Sequence, residues 1–305
     1  MNKPTRLQPG DLIRIVAPAS PLETHQLEPM QNLLTAEGFR VELGEHVLDR
    51  HGYLAGTDEA RRHDLVQAFD DPSVKAIVCA RGGYGASRFA ADLDFAALAA
   101  TRKFFIGFSD ITVLHLGLNR AGLATAYAPM ALSFTVERPP YVLDSFKQIL
   151  HGRTATPADA PMGKAITGGT AEGIVTGGCL CLLTDSIGTQ WEMDTKGKIV
   201  LIEDVDESPH RVDAMLTHLL NIGALQKAAG IVVGEMTRTD EKTDPGIGGV
   251  PWREIVTERL QGLGIPTILD YPFGHFTGML SMPLGIRARL DADAGRLTYL
   301  EDLCE

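Results

Sequence analysis

The chain has 305 residues, an apolar fraction of 44% and a formal net charge of −11. Such a length can bury a large core in one or two domains, and the apolar content excludes disorder throughout. The acidic balance, with no basic run, excludes a nucleic-acid backbone as the main partner.

Residues 1–10 are polar, and the apolar run from Leu12 to Ala19 is interrupted by Arg14 and Pro18. Neither an export signal nor a membrane partner is expected, which points to the cytoplasm. The four cysteines, Cys79, Cys179, Cys181 and Cys304, are then expected to be reduced. Cys179 and Cys181 have the look of half a metal site. No second cysteine or histidine pair matches their spacing, so structural thiols and no metal are expected.

Apolar runs and helical patterns alternate through the first half. Strands are expected over Leu12 to Ala17, Arg40 to Leu43, Val74 to Cys79 and Phe104 to Phe108. Helices are expected over Gln26 to Glu37, Thr57 to Phe69 (Thr57 as cap) and Ile111 to Ala121. This order predicts an α/β fold, a parallel sheet with helices on both faces. From His151 to Gly169 the periodicity is lost among Pro157, Pro161 and a glycine cluster, which reads as a linker. Beyond it, strands are expected over Glu172 to Thr176, Lys198 to Glu203 and Gly230 to Gly234. Helices are expected over Gly178 to Ile187, Pro209 to Asn221 and Trp252 to Leu263. A hairpin from Ile286 to Leu300 completes a mixed α+β second domain. The divisions are 1–150, the linker 151–169, and 170–305.

Three places carry chemistry. In Gly107-Phe108-Ser109-Asp110-Ile111-Thr112 a strand turns into a helix with a serine at the apex. That is the setting of a nucleophilic hydroxyl, though serine also serves there as a plain helix cap. The strand core Ile199 to Ile202 breaks into Glu203-Asp204-Val205-Asp206-Glu207. These are either solvated carboxylates or, for Glu203, the partner of a catalytic histidine. His275 lies in the loop Tyr271-Pro272-Phe273-Gly274-His275-Phe276 after an apolar run, either half exposed or able to swing into a site. His210, behind Ser208-Pro209, competes with it as a base. A serine nucleophile needs a base, an acceptor that holds the base, and donors for the oxyanion. Ser109, His275 and Glu203 fit the first three roles. The Asp110 N–H and a glycine N–H of the Arg81-Gly82-Gly83-Tyr84-Gly85 loop fit the last. That loop lacks the spacing of a P-loop or a dinucleotide fingerprint.

These segments, together with Ile15-Val16-Ala17-Pro18-Ala19-Ser20, Arg211-Val212-Asp213 and Gly274-His275, run in an order that resembles the LD-carboxypeptidases. These are the muramoyltetrapeptide carboxypeptidases of the S66 serine peptidase class. The resemblance implies an N-terminal flavodoxin- or amidotransferase-like domain carrying the nucleophile and a C-terminal domain carrying Glu and His. It implies a Ser109–Glu203–His275 triad and oxyanion donors at Gly83 and Asp110, with no cofactor. The implied activity is release of terminal D-alanine from a murein tetrapeptide at an L,D bond, by a homodimer. Arg81 is the candidate for the substrate carboxylate, with pairing to Asp110 as its structural alternative. Three other readings stay open: a microcin-immunity-type hydrolase of peptide–nucleotide conjugates with Trp191 as an aromatic platform, an α/β-hydrolase esterase, and a non-catalytic small-ligand-binding protein.

Overall fold

A computed structural model describes residues 1–305. Strand β1 (Leu12–Val16) pairs in parallel with β2 (Arg40–Leu43) and β3 (Val74–Cys79), β3 with β4 (Phe104–Gly107), and β4 with β5 (Thr125–Tyr127). Helices α1 (Thr24–Ala36), α2 (Asp58–Asp70), α3 (Ser87–Ala90), α4 (Phe95–Ala100), α5 (Thr112–Arg120) and α6 (Pro140–Leu150) accompany them. The alternation of side chains along each strand sorts them between two cores. Ile13, Ile15, Val78 and Ile106 pack with Leu27 of α1 and Phe146 of α6. Leu12, Val16, Ile77 and Phe105 share the other core with Leu65 of α2 and Leu114 of α5. Thr57 caps α2, its side chain accepting from the Ala60 N–H.

A second sheet is built from β6 (Lys164–Thr167), β7 (Thr170–Cys179), β8 (Ile199–Val205), β9 (Gly230–Thr237) and β10 (Thr267–Leu269). Around it lie α7 (Leu180–Asp185), α8 (Pro209–Asn221) and α9 (Trp252–Gln261). Strands β7 to β10 run parallel, and β6 closes the β10 edge antiparallel. Strand β11 (Met282–Leu284) leaves this half and pairs antiparallel with β5, extending the first sheet. The hairpin of β12 (Arg287–Asp291) and β13 (Arg296–Tyr299) then returns to the β7 edge. The chain is therefore α/β, with a mostly parallel N-terminal sheet and a mixed second sheet. One apolar core runs through both, since Leu12 and Phe105 belong to the same cluster as Ile199, Ile202 and Val232.

Several local expectations need correction. Gly178 and Cys179 end β7 rather than opening a helix, and α7 covers only 180–185. Gly177 and Gly178 hold positive φ values of 123° and 147°, a backbone that glycine adopts without cost and that turns the strand into the helix. Within 151–169, residues 164–167 form β6 because β10 offers an open edge. β5, α6 and β11 were not expected. No helix is long and apolar enough to cross a membrane.

Candidate active site

Ser109 follows the carboxyl end of β4, and Glu203 lies near the carboxyl end of β8, the ends at which reactive groups gather in parallel sheets. The loop from β10 to β11 crosses between the two sheets, and His275 sits on it. Ser109 follows β4 with φ +65°, a strained value for a residue with a Cβ. Gly107 permits the turn, because a Cβ there would stand 2.6 Å from the Ile111 side chain. Thr112 Oγ1 donates to the Ser109 carbonyl at 2.7 Å and accepts from the Cys179 N–H at 3.2 Å, so the turn is tied to the second sheet.

His275 Nε2 lies 2.8 Å from Ser109 Oγ, and His275 Nδ1 lies 2.7 Å from Glu203 Oε2. The carboxylate can only accept, so Nδ1 carries the ring proton and Nε2 is free to take the serine proton. Glu203 is fully buried. The β8–β9 register shifts between Ile202 and Asp204, the kind of irregularity that re-aims a side chain beside a site. Gly274, at φ +114°, lets the histidine loop press onto the carboxylate, since a Cβ there would fall 2.8 Å from Glu203 Oε2. Burial opposes a charged His275 ring, but the charge and hydrogen bond of Glu203, with Asp204 beyond, outweigh it. The His275 pKa therefore lies above the ordinary histidine value.

Tyr127, at the end of β5, had no part in the sequence reading. Its hydroxyl donates to Glu203 Oε1 at 2.5 Å and accepts from the Ser109 N–H at 3.1 Å. Burial first, and the Glu203 charge next, push its pKa far up, so it stays a donor. The only trace of it in the sequence is a tyrosine ending a short apolar run.

The glycine loop meets the serine turn closely. A Cβ on Gly82 would stand 2.9 Å from Ser109 Oγ and 3.1 Å from the Asp110 nitrogen. The N–H groups of Gly83 and Asp110 donate to no protein acceptor, which leaves both available to a developing oxyanion. Buried Arg61 anchors the loop through the Gly85 carbonyl at 2.8 Å, and Ser20 donates its backbone N–H to the Gly82 carbonyl at 3.2 Å. Arg81 does not pair with Asp110. It donates to the Pro21 carbonyl at 2.9 Å, while the Asp110 carboxylate accepts the Ala86 N–H at 2.8 Å.

Ser109 and His275 open onto a cleft of about 600 Å³ whose walls include Arg81, Gly83, Arg138, Asp206 and Arg238. Arg238 is paired with Asp206. Arg81 and Arg138 have no carboxylate partner, and burial alone lowers their pKa values. Two larger hollows, of about 780 and 910 Å³, lie elsewhere and include none of Ser109, His275 and Glu203. His210 is exposed at the start of α8, and its ring hydrogen-bonds to the Ser208 hydroxyl. His115 is buried beneath the turn between Thr125 Oγ1 and the Gly107 carbonyl, and burial lowers its pKa to about 4. Trp191 is buried in the core and does not line the cleft.

Residues 13–128 match the LD-carboxypeptidase N-terminal domain, and residues 172–290 match its C-terminal domain. The murein tetrapeptide carboxypeptidase of Pseudomonas aeruginosa is 32% identical over 295 residues, covering 92% of this chain and 93% of that protein. The crystal structure of a muramoyltetrapeptide carboxypeptidase from Oxalobacter formigenes superposes with a TM-score of 0.81 at 31% identity, over 94% of this chain and 97% of that one. An MccF-like protein from Bacillus anthracis superposes with a TM-score of 0.87 at 27% identity, over 98% and 99% of the two chains. Both halves of the chain thus match in order and nearly end to end, and the chain belongs to the LD-carboxypeptidase family.

Proposed function

We propose that the protein is a serine carboxypeptidase that removes the terminal D-alanine from murein tetrapeptides during peptidoglycan recycling in the cytoplasm. The observation that carries the reading is the continuous line of short contacts from Ser109 Oγ through His275 to Glu203. His275 Nε2 takes the Ser109 proton as Oγ attacks the carbonyl carbon of the L,D bond. The oxyanion that forms meets the Gly83 and Asp110 N–H groups. The imidazolium, stabilised by Glu203, then gives its proton to the leaving D-alanine nitrogen. The same base activates water, which frees Ser109 from the acyl group. Arg81 and Arg138, the guanidiniums of the cleft without carboxylate partners, are proposed to receive the terminal carboxylate of the substrate.

The likeness to the MccF-like structure favours a second reading, hydrolysis of a peptide–nucleotide conjugate by the same triad. Trp191, the candidate aromatic platform for its base, is buried and does not line the cleft, which weighs against this reading. Hydrolysis of a murein tetrapeptide and an aminoacyl sulfamoyl nucleoside, assayed side by side, separates the two. Faster turnover of the tetrapeptide is expected, and turnover of the nucleoside alone would replace the first reading with the second.

A further inference from the structure

Behind Glu203 lies a second cluster that the hydrolytic chemistry does not use. Cys179 ends β7 beside Glu203 in the sheet register, and α7 begins at the next residue. The sulfurs of Cys179 and Cys181 are 3.5 Å apart, and the Cys179 sulfur is 3.3 Å from Asp204 Oδ1. One donor atom from each of the three residues lies within 4.8 Å of the others. Asp204 and Cys179 are buried, whereas Cys181 is partly open. The Asp204 carboxylate pairs with no basic side chain. It is held by the N–H groups of Cys181 at 2.8 Å and Val205 at 2.7 Å.

We propose that Cys179, Cys181 and Asp204 form a binding site for a soft divalent cation of the zinc class, which strengthens the fold and leaves turnover unchanged. The dimensions suit such an ion. In a tetrahedral zinc site two sulfurs stand about 3.8 Å apart and a sulfur and an oxygen about 3.5 Å, given Zn–S near 2.3 Å and Zn–O near 2.0–2.2 Å. The two separations from the Cys179 sulfur are shorter by a few tenths of an ångström, and the Cys181 sulfur and the Asp204 carboxylate lie within 4.8 Å of each other. Two thiolates and a carboxylate are also a donor set that zinc prefers. On binding, each thiol releases its proton to solvent. The metal takes the Oδ1 lone pair that the Cys179 thiol occupies, and the two N–H groups continue to orient the carboxylate. The fourth position faces the open side at Cys181 and takes a water.

The charge balance explains why the triad is untouched. With neutral thiols and an ionised Asp204 the cluster carries one negative charge. With two thiolates, the carboxylate and a divalent ion it again carries one. The potential at Glu203 and His275 is thus kept, while the ion joins the β7–α7 turn to β8.

The test uses the reduced, metal-free, full-length protein. Titration with Cd²⁺ is expected to raise a thiolate charge-transfer band that saturates at one equivalent. Zn²⁺ at about a hundredfold excess over its Kd is expected to raise Tm by roughly 5 °C, with turnover within twofold of the metal-free value. Cys181→Ser should lose the band and the Tm shift yet keep wild-type turnover, and Cys181→Ala serves if the serine variant folds poorly. Cys304→Ser should retain both signals. Absence of the band, its persistence in the Cys181 variants, or an equal Tm shift in those variants and the wild type would overturn the site. Inhibition by one equivalent of Zn²⁺ that Cys181→Ser abolishes would overturn the charge-balance argument.

Discussion

Tyr127 donates its phenolic proton to Oε1 of Glu203 at 2.5 Å, while His275 takes the other oxygen of that carboxylate at 2.7 Å. One buried carboxylate therefore has both oxygens satisfied, one by a fixed neutral donor and one by the imidazole. The same hydroxyl accepts the Ser109 N–H, so Tyr127 bridges the Ser109 backbone and the Glu203 carboxylate that holds His275.

Removing that hydroxyl leaves Glu203 Oε1 without its donor in a buried place. Tyr127→Phe is expected to lower kcat/KM by roughly 10- to 100-fold, the scale of a hydrogen bond to a charged group of about 1.5–3 kcal/mol. Steady-state kinetics on a folded variant check this. Unchanged turnover would reduce Tyr127 to a packing residue.

The pH profile should carry the signature of the His275–Glu203 pair. In the proposed mechanism His275 must be neutral to accept the serine proton, and its pKa lies above the ordinary value of 6.5. Activity is therefore present at higher pH and is lost as pH falls through a value above 6.5. The acid limb of kcat/KM reports this group in the free enzyme. In Glu203→Gln the charge that raises the pKa is gone and burial remains, so the limb should move down, together with a loss on the order of 10³–10⁴-fold. Asp204, pushed up to about 6 by burial and then by the Glu203 charge, titrates nearby; its protonation withdraws a charge that favours the imidazolium and is expected to broaden the wild-type limb. A limb that stays in place in the Gln variant would detach His275 from Glu203. Asp206→Asn should be mild by comparison, because Asp206 is exposed and paired with Arg238 and Lys242.

Gly82→Ala places a methyl group 2.7 Å from Ser109 Cβ and 3.1 Å from the Asp110 nitrogen. Either the glycine loop or the serine turn must shift, and with it the pair of donors for the oxyanion. Turnover should fall by about 10²–10³-fold, as when an oxyanion donor is lost. A smaller loss, with unchanged thermal stability, would show that the two N–H groups do not act together.

Recognition of a free carboxylate predicts discrimination between a tetrapeptide and its C-terminal amide. Arg81→Ala and Arg138→Ala should each erode that discrimination by roughly 10- to 100-fold, the scale of a lost charge-assisted hydrogen bond. Arg138 also donates to the Phe276 and Thr277 carbonyls at 3.1 and 3.2 Å, next to His275. For Arg138, Lys is therefore the informative second variant, since it keeps the charge and loses the fork. If the amide is cleaved as fast as the acid by the wild type, the carboxypeptidase reading gives way to an endopeptidase or amidase. Chelators are expected to leave turnover intact, because the proposed groups complete the acyl transfer without a metal.

Much of this arrangement was legible along the chain because the groups that meet are marked by local pattern. Ser109 follows a buried strand and a glycine, Glu203 ends an apolar run, and His275 sits between a glycine and the next strand. The doubly wound half was legible from its alternating runs. What was hidden depends on pairing across the chain. Tyr127 ends a strand of three residues, too short for a period to be seen. Met282-Pro283-Leu284 makes an edge strand through a proline, which reads as a loop until β5 is placed beside it. Arg138 lies between an exposed segment and two prolines, with nothing to mark it as a wall of the cleft. Asp204 completes a cluster with Cys179 and Cys181 only because β7 and β8 are neighbours.

The most direct test incubates a murein tetrapeptide with wild-type protein and with Ser109→Ala, and follows both products by mass spectrometry. The account predicts conversion to the tripeptide with release of one alanine by the wild type, and a loss on the order of 10⁴-fold or more in the folded variant. No alanine release by the wild type, or a tenth of its rate retained without the Ser109 hydroxyl, would contradict it.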